Sequence, residues 1–198
     1  MAVQEPLTIM EIALILMTNS RIHQQDVDGC NYTMSILTKD LRITDWTHTA
    51  GNFDKYDMDW TATTDEGKEM SIMDENKDRR YGWKTICENG VKIRVKDYDK
   101  PQYLTSYPSQ MFNFEKYEFL MEKRNETGAE IAYTAGYLDG VWMFDLATLP
   151  RDLIYKPIKE GGWKIMVWVE ETTMDGYSVK KLQPRFLIPN QYGDCYKR

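Results

Sequence analysis

The sequence predicts a mixed α/β (α+β) fold, with a central, mixed and mainly antiparallel sheet flanked by helices. Three observations support this prediction. Segments in which polar and apolar residues alternate recur along the chain, and turn signals such as Asn89-Gly90 separate them. Two other segments repeat apolar residues at helical spacing, one before the strands and one between them. No linker rich in proline, glycine or serine divides the 198 residues, so we expect a single domain over 1–198.

The first half of the chain is predicted to contain one helix and then strands. The apolar run 7–17 follows Pro6, which suits a first helical position, and predicts a buried helix. Residues 31–45 are expected to be extended, because apolar residues alternate with polar ones from Tyr32 onwards. Further along, we expect two strands joined by a turn at Gly67, a hairpin and a proline-containing loop, over 55–61, 69–77, 82–96 and 97–112.

The second half is predicted to begin with a helix and to end in strands. Asn113 is a favoured N-cap residue, apolar residues follow it at helical spacing, and Gly128 is a typical residue to end the helix. A hairpin should turn at Asp139-Gly140, and a last hairpin within 160–190 is expected to extend the core. The predicted segments after the helix are strands over 129–137 and 141–146, a short helix over 149–155, and strands over 163–171 and 177–183.

The composition argues against several classes of site. A net charge of −6 argues against the broad basic face of a non-specific nucleic-acid binder, although a local basic rim can sit on an acidic protein. The three cysteines are far apart and the chain has two histidines, which argues against zinc sites and a Ser-His-Asp triad. No segment has the pattern of a signal peptide or the length to span a bilayer, so we expect a cytoplasmic protein without a membrane partner.

The clearest chemical signal is a pair of neighbouring strands that carry acidic residues. Asp57 and Asp59 alternate with apolar residues and therefore share one face of their strand. Glu75 and Lys77 are also two residues apart on the next strand. Directly opposed residues lie about 5 Å apart, where carboxylates repel each other unless a cation lies between them. Mg²⁺ or Mn²⁺ suits such oxygen ligands, so the pattern predicts metal-assisted hydrolysis of a phosphodiester.

Asp57, followed 18 positions later by Glu75-x-Lys77, resembles the PD-(D/E)XK nuclease superfamily, which includes restriction endonucleases and Holliday junction resolvases. The resemblance in element order covers about residues 5–147, because that family places a helix and then another strand after the catalytic strand. The C-terminal segment is also similar to that of small phage and bacterial members. The resemblance implies a restriction endonuclease-like core and Mg²⁺- or Mn²⁺-dependent cleavage of DNA by an endonuclease or resolvase.

The resemblance also implies roles for individual residues. Asp57 and Glu75 would be the metal-binding carboxylates, and Lys77 would position the attacking water or a phosphate oxygen. Asp59 is the rival of Asp57 for the first role. Glu11 on the first predicted helix would be an accessory metal carboxylate.

Basic residues near this motif are candidates for contact with the nucleic acid. Arg79 and Arg80 follow Lys77 closely, and their guanidinium groups suit phosphate oxygens. Lys116 matches a position where the family often has a polar or basic residue. Asn76 departs from the pattern, because the family usually has an apolar residue there. DNA is the expected partner, and the sequence leaves a homodimer open.

Other interpretations compete with this one. The run 74–80 has the composition of a solvated surface segment, and Asp57 and Asp59 would also suit the outer face of an edge strand. The alternative function is a non-catalytic interaction protein or virion-associated protein on the same or another α/β fold. Acidic mimicry of DNA is a third option, although 25 lysines and arginines interrupt the negative charge.

Overall fold

A computed structural model describes residues 27–48, 59–88, 91–172 and 178–198. These residues form a mixed α+β fold that consists mostly of strands, with a few helices. The elements in chain order are α1 (27–40), β1 (Ile43–His48), β2 (Asp59–Thr64), β3 (Glu69–Asp78), β4 (Tyr81–Glu88), β5 (Val91–Pro101), β6 (Ser109–Asn113), α2 (Phe114–Thr127), β7 (Glu130–Tyr137), β8 (Gly140–Asp145), α3 (Arg151–Tyr155), β9 (Lys164–Thr172), β10 (Ser178–Pro189) and β11 (Asp194–Lys197), with 3₁₀ turns at Ile158–Glu160 and Asn190–Tyr192.

The largest sheet has six strands in the order β1-β2-β3-β7-β8-β11. All neighbours in it are antiparallel except β3 and β7, which are parallel. The chain travels from β3 to β7 through β4, β5, β6 and α2, as a parallel pair requires a long crossover connection. The predicted mixed, mainly antiparallel sheet is therefore confirmed, as is the antiparallel pairing of β2 with β3.

Both faces of the six-stranded sheet are covered, so alternate residues of its central strands enter two different cores. One core lies between the sheet and α1, where Leu37, Trp60 and Ile72 are buried. The other core lies under α2 and a second, three-stranded sheet, and it includes Tyr133 and Phe186. Fully burying side chains of this size stabilises the fold by about 1.5–3 kcal/mol each.

The second sheet has the order β6-β10-β9 and joins the C-terminal hairpin to the rest of the fold. Phe186 of β10 is paired with Phe112 of β6, and its ring packs edge-on against Tyr117 of α2. The predicted final hairpin is thus confirmed, and it contributes directly to a core. Strands β4 and β5 pair with each other in a separate two-stranded sheet, as the sequence predicts.

Helix α2 begins and ends where the sequence indicates. The side chain of Asn113 accepts hydrogen bonds from the backbone N–H of Glu115 and of Lys116, at 2.8 and 3.3 Å. Gly128 ends the helix with φ 72°, a conformation that glycine adopts without steric cost. This cap fixes Lys116 in the first turn of α2, facing the six-stranded sheet.

The prediction of an extended segment over 31–45 is wrong for residues 31–40, which belong to α1, whereas residues 43–45 are extended at the start of β1. Cys30, Met34 and Leu37 are all buried, and their spacing of three and four residues makes one stripe of a helix. The alternation that suggested a strand is fortuitous. A helix satisfies its own backbone hydrogen bonds, and packing of this stripe on the sheet decides the outcome.

The predicted loop over 97–112 is wrong in part. Strand β5 continues to Pro101 and strand β6 begins at Ser109, so a true loop remains only between them. The predicted helix over 7–17 lies outside the described residues. No helix in the described ranges combines the length and apolar character that a membrane crossing requires.

Candidate functional site

The candidate site is built around Glu75, which lies on β3 in the middle of the six-stranded sheet. Glu75 is only 7% exposed. The ammonium of Lys77, two residues further along the same face of β3, lies 2.5 Å from Glu75 Oε1. The ammonium of Lys116 in the first turn of α2 donates a hydrogen bond to Glu75 Oε2. Both carboxylate oxygens are therefore engaged by lysines from two different elements.

These contacts set the pKa values of the group. Burial by itself raises the pKa of Glu75, but the charges of Lys77 and then Lys116 outweigh it and hold that pKa below the ordinary value. Burial lowers the pKa of Lys116, and the nearby charge of Lys77 adds to this effect, while Glu75 opposes it. The pair is ionised near neutral pH, and Lys116 gives up its proton more readily than a surface lysine.

Strand β10 contributes two residues that sequence reasoning missed. Gln183 is buried, and its Oε1 accepts a hydrogen bond of 2.6 Å from Nη2 of Arg185. The charge of Arg185 also lowers the pKa of Lys116, which shows that β10 borders the site. Arg185 is paired in the sheet with Asn113, the cap of α2. Nothing in the local sequence around Arg185 marks this long-range pairing.

The opposite face of β3 holds a buried polar network. Thr134 Oγ1 donates a 2.7 Å hydrogen bond to Oδ2 of Asp74, and Asn76 Nδ2 donates to both Thr134 Oγ1 and Thr33 Oγ1. Burial raises the pKa of Asp74 to about 7. Trp60 Nε1 lies near Asp74, but among the described residues neither Nε1 nor Asp74 Oδ1 has a hydrogen-bond partner.

This network explains the polar residue within the Glu75-x-Lys77 motif. Asn76 joins α1 to β7 by hydrogen bonds instead of packing as an apolar residue. Asp74 and Glu75 are 3% and 7% exposed, so the interpretation of this run as a solvated surface is wrong for both. Two adjacent carboxylates point into opposite cores of the protein.

Two arginines follow β3. Nε and Nη2 of Arg80 bond both carboxylate oxygens of Asp78, and its guanidinium also lies over the ring of Tyr32. Arg79 is more deeply buried and donates from Nη2 to the hydroxyl of Tyr133 at 3.1 Å, while its buried Nε has no hydrogen-bond partner in the described ranges. The two candidates for nucleic-acid contact are therefore in different environments.

The structure brings Glu75, Lys77 and Lys116 together. The backbone of Asp59 pairs with Met73, two residues before Glu75, in the antiparallel ladder of β2 and β3. Asp57 and Glu11, the remaining predicted metal carboxylates, lie outside the described residues.

The described residues supply only part of the ligands that a divalent metal requires. They contain no group of three or more histidine, cysteine, aspartate or glutamate side chains placed to hold a metal. Glu75 is the carboxylate at the site, and a hard divalent cation takes about six oxygen ligands. Glu75 alone does not form a metal site, and an ion there would compete with two ammonium groups for the same oxygens.

Comparisons with protein-family models, with curated proteins and with solved structures found no match.

Proposed function

We propose that this chain cleaves DNA phosphodiester bonds as a Mg²⁺- or Mn²⁺-dependent endonuclease or resolvase, on a restriction endonuclease-like core. The observation that carries the proposal is the buried Glu75 carboxylate held between Lys77 and Lys116. A carboxylate and two ammoniums around one point are suited to a phosphate and an attacking water. Surface ion pairs are common, but a buried ion pair is costly because its charged groups lose their hydration, and this cost is consistent with a functional role.

The order of elements around the site supports the same proposal. Strands β1, β2 and β3 form an antiparallel series, and α2 and then β7 follow, with β7 parallel to β3. The PD-(D/E)XK family also places a helix and a further strand after its catalytic strand. Strands β4 to β6 would be an insertion between the catalytic strand and that helix.

The two lysines would act directly on the substrate. Lys77 is half exposed, so its ammonium can turn from Glu75 to hold the attacking water or a phosphate oxygen. Lys116 is more buried and would remain beside the carboxylate, where its positive charge favours the negative charge that develops on the phosphate. Glu75 holds both groups in position in the absence of substrate.

A metal would require further carboxylates. Asp57 or Asp59 would join Glu75 as ligands, with Glu11 as an accessory, and these assignments stay predictions from the sequence. A bound Mg²⁺ or Mn²⁺ would acidify a water and stabilise charge on the phosphoryl group.

The direct test is cleavage of plasmid, linear and branched DNA with Mg²⁺ or Mn²⁺. We expect Glu75→Gln, Lys77→Met and Lys116→Met each to lower the cleavage rate by about 10²–10⁴-fold, as loss of a positioned polar group does in other enzymes. Lys123→Met, which removes an exposed lysine of the same helix, is the matched control and should cleave normally. Cleavage that survives all three site substitutions would exclude this mechanism.

The alternative of a non-catalytic interaction protein is favoured by one observation, that both oxygens of Glu75 are already engaged by lysines. Thermal melting with and without Mn²⁺ separates the two proposals. A metal that binds the folded state raises its stability by about 2.7 kcal/mol at a hundred times the dissociation constant. No increase at millimolar Mn²⁺, together with no cleavage, would support the interaction protein.

A further inference from the structure

Within the part of the chain that the structure describes, Arg80 has a carboxylate partner and Arg79 has none. Arg80 is neutralised by Asp78, which it bonds with two nitrogens. Among the described residues no carboxylate pairs with Arg79, and only its Nη2 has a side-chain partner, the hydroxyl of Tyr133. A largely buried guanidinium without a counter-charge costs several kcal/mol. The chain therefore keeps a positive charge at this point that nothing in the described fold balances.

The side chains that act most strongly on Arg79 are phenols. Tyr137 and Tyr107 lie near enough to act on Arg79 electrostatically. Tyr137 donates its hydroxyl proton to Oε1 of Gln110 at 2.8 Å, so that network is satisfied internally. Tyr107 is 41% exposed, which brings solvent close to this group of phenols. Arg79 therefore contacts a phenol, with further phenols nearby and no carboxylate partner among the described residues, an arrangement suited to an anion.

The position of Arg79 relates it to the candidate site. Its backbone N–H donates to the carbonyl of Gly136 at 2.8 Å and so continues the ladder of β3 and β7. Arg79 is two residues beyond Lys77 and four beyond Glu75, about 7 and 13 Å along an extended chain, with alternate side chains on the same face. A ligand that extends along this face of β3 would meet both groups in turn.

The local charge is opposite to that of the whole chain, whose net charge is −6. We call the ionised residues around the end of β3 the cationic strip. Limited to the face of β3 that Glu75 and Lys77 share, it contains four positive side chains and one negative side chain among the described residues, namely Lys77, Arg79, Lys116, Arg185 and Glu75. A positive strip on an acidic protein is suited to a chain of phosphates.

We propose that Arg79 binds a phosphate that flanks the one held at Lys77 and Lys116, so that the protein engages successive phosphates of one DNA strand. The inference rests on the proposed function, since it uses the same site as its reference point. A guanidinium offers a phosphate two parallel hydrogen bonds. The phenol of Tyr133 is neutral and therefore does not balance the positive charge of Arg79 as a phosphate would. Arg80 has no such role, because Asp78 and Tyr32 already hold it.

The test is the salt dependence of DNA binding, measured by fluorescence anisotropy with a labelled duplex in EDTA. Each phosphate contact contributes about 0.9 to the slope of log affinity against log salt. Arg79→Gln should therefore lower that slope by about 0.9 and weaken binding roughly tenfold, irrespective of base sequence. Arg79→Lys keeps the charge and should retain most of the slope.

Two matched variants control for charge and fold. Arg124→Gln removes an exposed arginine of α2, and Arg80→Gln removes the paired neighbour, so both should leave the slope unchanged. An unchanged slope in Arg79→Gln, or an equal loss in Arg80→Gln, would overturn the inference. If circular dichroism shows that Arg79→Gln does not fold, Arg79→Lys is tested in its place on duplexes that carry single methylphosphonate substitutions.

Single methylphosphonate substitutions locate the contact. One neutral phosphate is walked along the strand, and wild type should lose affinity at the position that Arg79 contacts. Arg79→Gln should bind the duplex modified at that position as tightly as it binds the unmodified duplex. Arg79→Lys should lose less affinity on this modification than wild type does. Additive losses at every position would contradict the inference.

The outcomes separate this inference from the proposed hydrolysis, because binding is measured without metal. A lower slope in Arg79→Gln with no cleavage under any metal condition would uphold the phosphate contact and refute the nuclease. If wild type cleaves DNA but wild type and Arg79→Gln have identical slopes, the nuclease would be upheld and the phosphate contact of Arg79 refuted.

Discussion

On the two faces of β3, the pKa values of two neighbouring carboxyl groups are shifted in opposite directions. Asp74 points towards α1 and accepts a hydrogen bond from the uncharged Thr134, and burial raises its pKa to about 7. Glu75 points towards α2 and contacts two lysines, which hold its pKa below the ordinary value although it is also buried. Burial is common to both residues, so the difference comes from the partners. The comparison shows that one strand separates a structural network from a charged site.

The largest expected effect comes from ionisation of Asp74. The folded state holds this proton to about pH 7, whereas an unfolded aspartate releases it near 3.8. Stability should therefore fall as pH rises from about 4 to about 7, by about 4 kcal/mol, and then level off. Urea unfolding across this range measures the fall. Asp74→Asn should abolish it and Asp99→Asn, at an exposed side chain, should not; equal slopes for the two variants would contradict the assignment.

The next effect comes from Glu75→Gln, which leaves two ammoniums without their carboxylate. We expect a loss of about 3 kcal/mol in the free energy of unfolding at pH 7, at the low end for a broken buried pair because Lys77 is half exposed. The lowered pKa of Glu75 means that its contribution is lost as pH falls below about 4.5, so the deficit of the variant should shrink there.

The control for Glu75→Gln is Glu126→Gln, which breaks an exposed lysine pair on α2. It should leave the free energy of unfolding close to that of wild type, because an exposed ion pair contributes little. Equal losses in the two variants would mean that burial of the Glu75 pair has no energetic consequence.

Thr134→Val tests the hydrogen-bond network on the face of β3 that meets α1. It removes the hydroxyl that bonds Asp74 and Asn76, and we expect a loss of about 2 kcal/mol in urea unfolding. Since this hydrogen bond lowers the pKa of Asp74 in the folded state, its removal should raise that pKa and extend the pH-dependent fall in stability to higher pH. Thr44→Val removes an exposed hydroxyl from β1 and serves as control. An unshifted pH profile would separate Thr134 from the titration of Asp74.

Lys77→Met should have the smallest effect on stability. Lys77 is 50% exposed, so we expect a loss of about 0.5 kcal/mol or less, while the proposed cleavage falls by about 10²-fold or more. Unfolding and cleavage assays on one preparation measure both quantities. A stability loss as large as that of Glu75→Gln would assign Lys77 a structural role.

Much of the fold was predictable because its signals are local. The hairpin around Gly67, the Asn113 cap and the glycine that ends α2 depend on dihedral angles and hydrogen bonds within a few residues. The helix α1 was not predictable, because its apolar residues fit two periods over a short stretch and only contact with the sheet distinguishes them.

The candidate site was predictable in part. The spacing of Glu75 and Lys77 places both on one face of any strand, and that relation holds in the structure. Lys116 was suggested by resemblance, but its contact with Glu75 joins residues 41 positions apart. Gln183 and Arg185, which border the site from β10, lie still further along the chain, and no local sequence pattern predicts their position.

The sequence by itself determined which side chains of β3 share a face, because alternation is a property of the extended backbone. Only the tertiary structure decided which face meets lysines and which meets threonines. The pKa values of Asp74 and Glu75, and the burial of Arg79 without a carboxylate partner among the described residues, depend on solvent exclusion and on partners from distant segments. Such electrostatic effects arise only once the chain has folded.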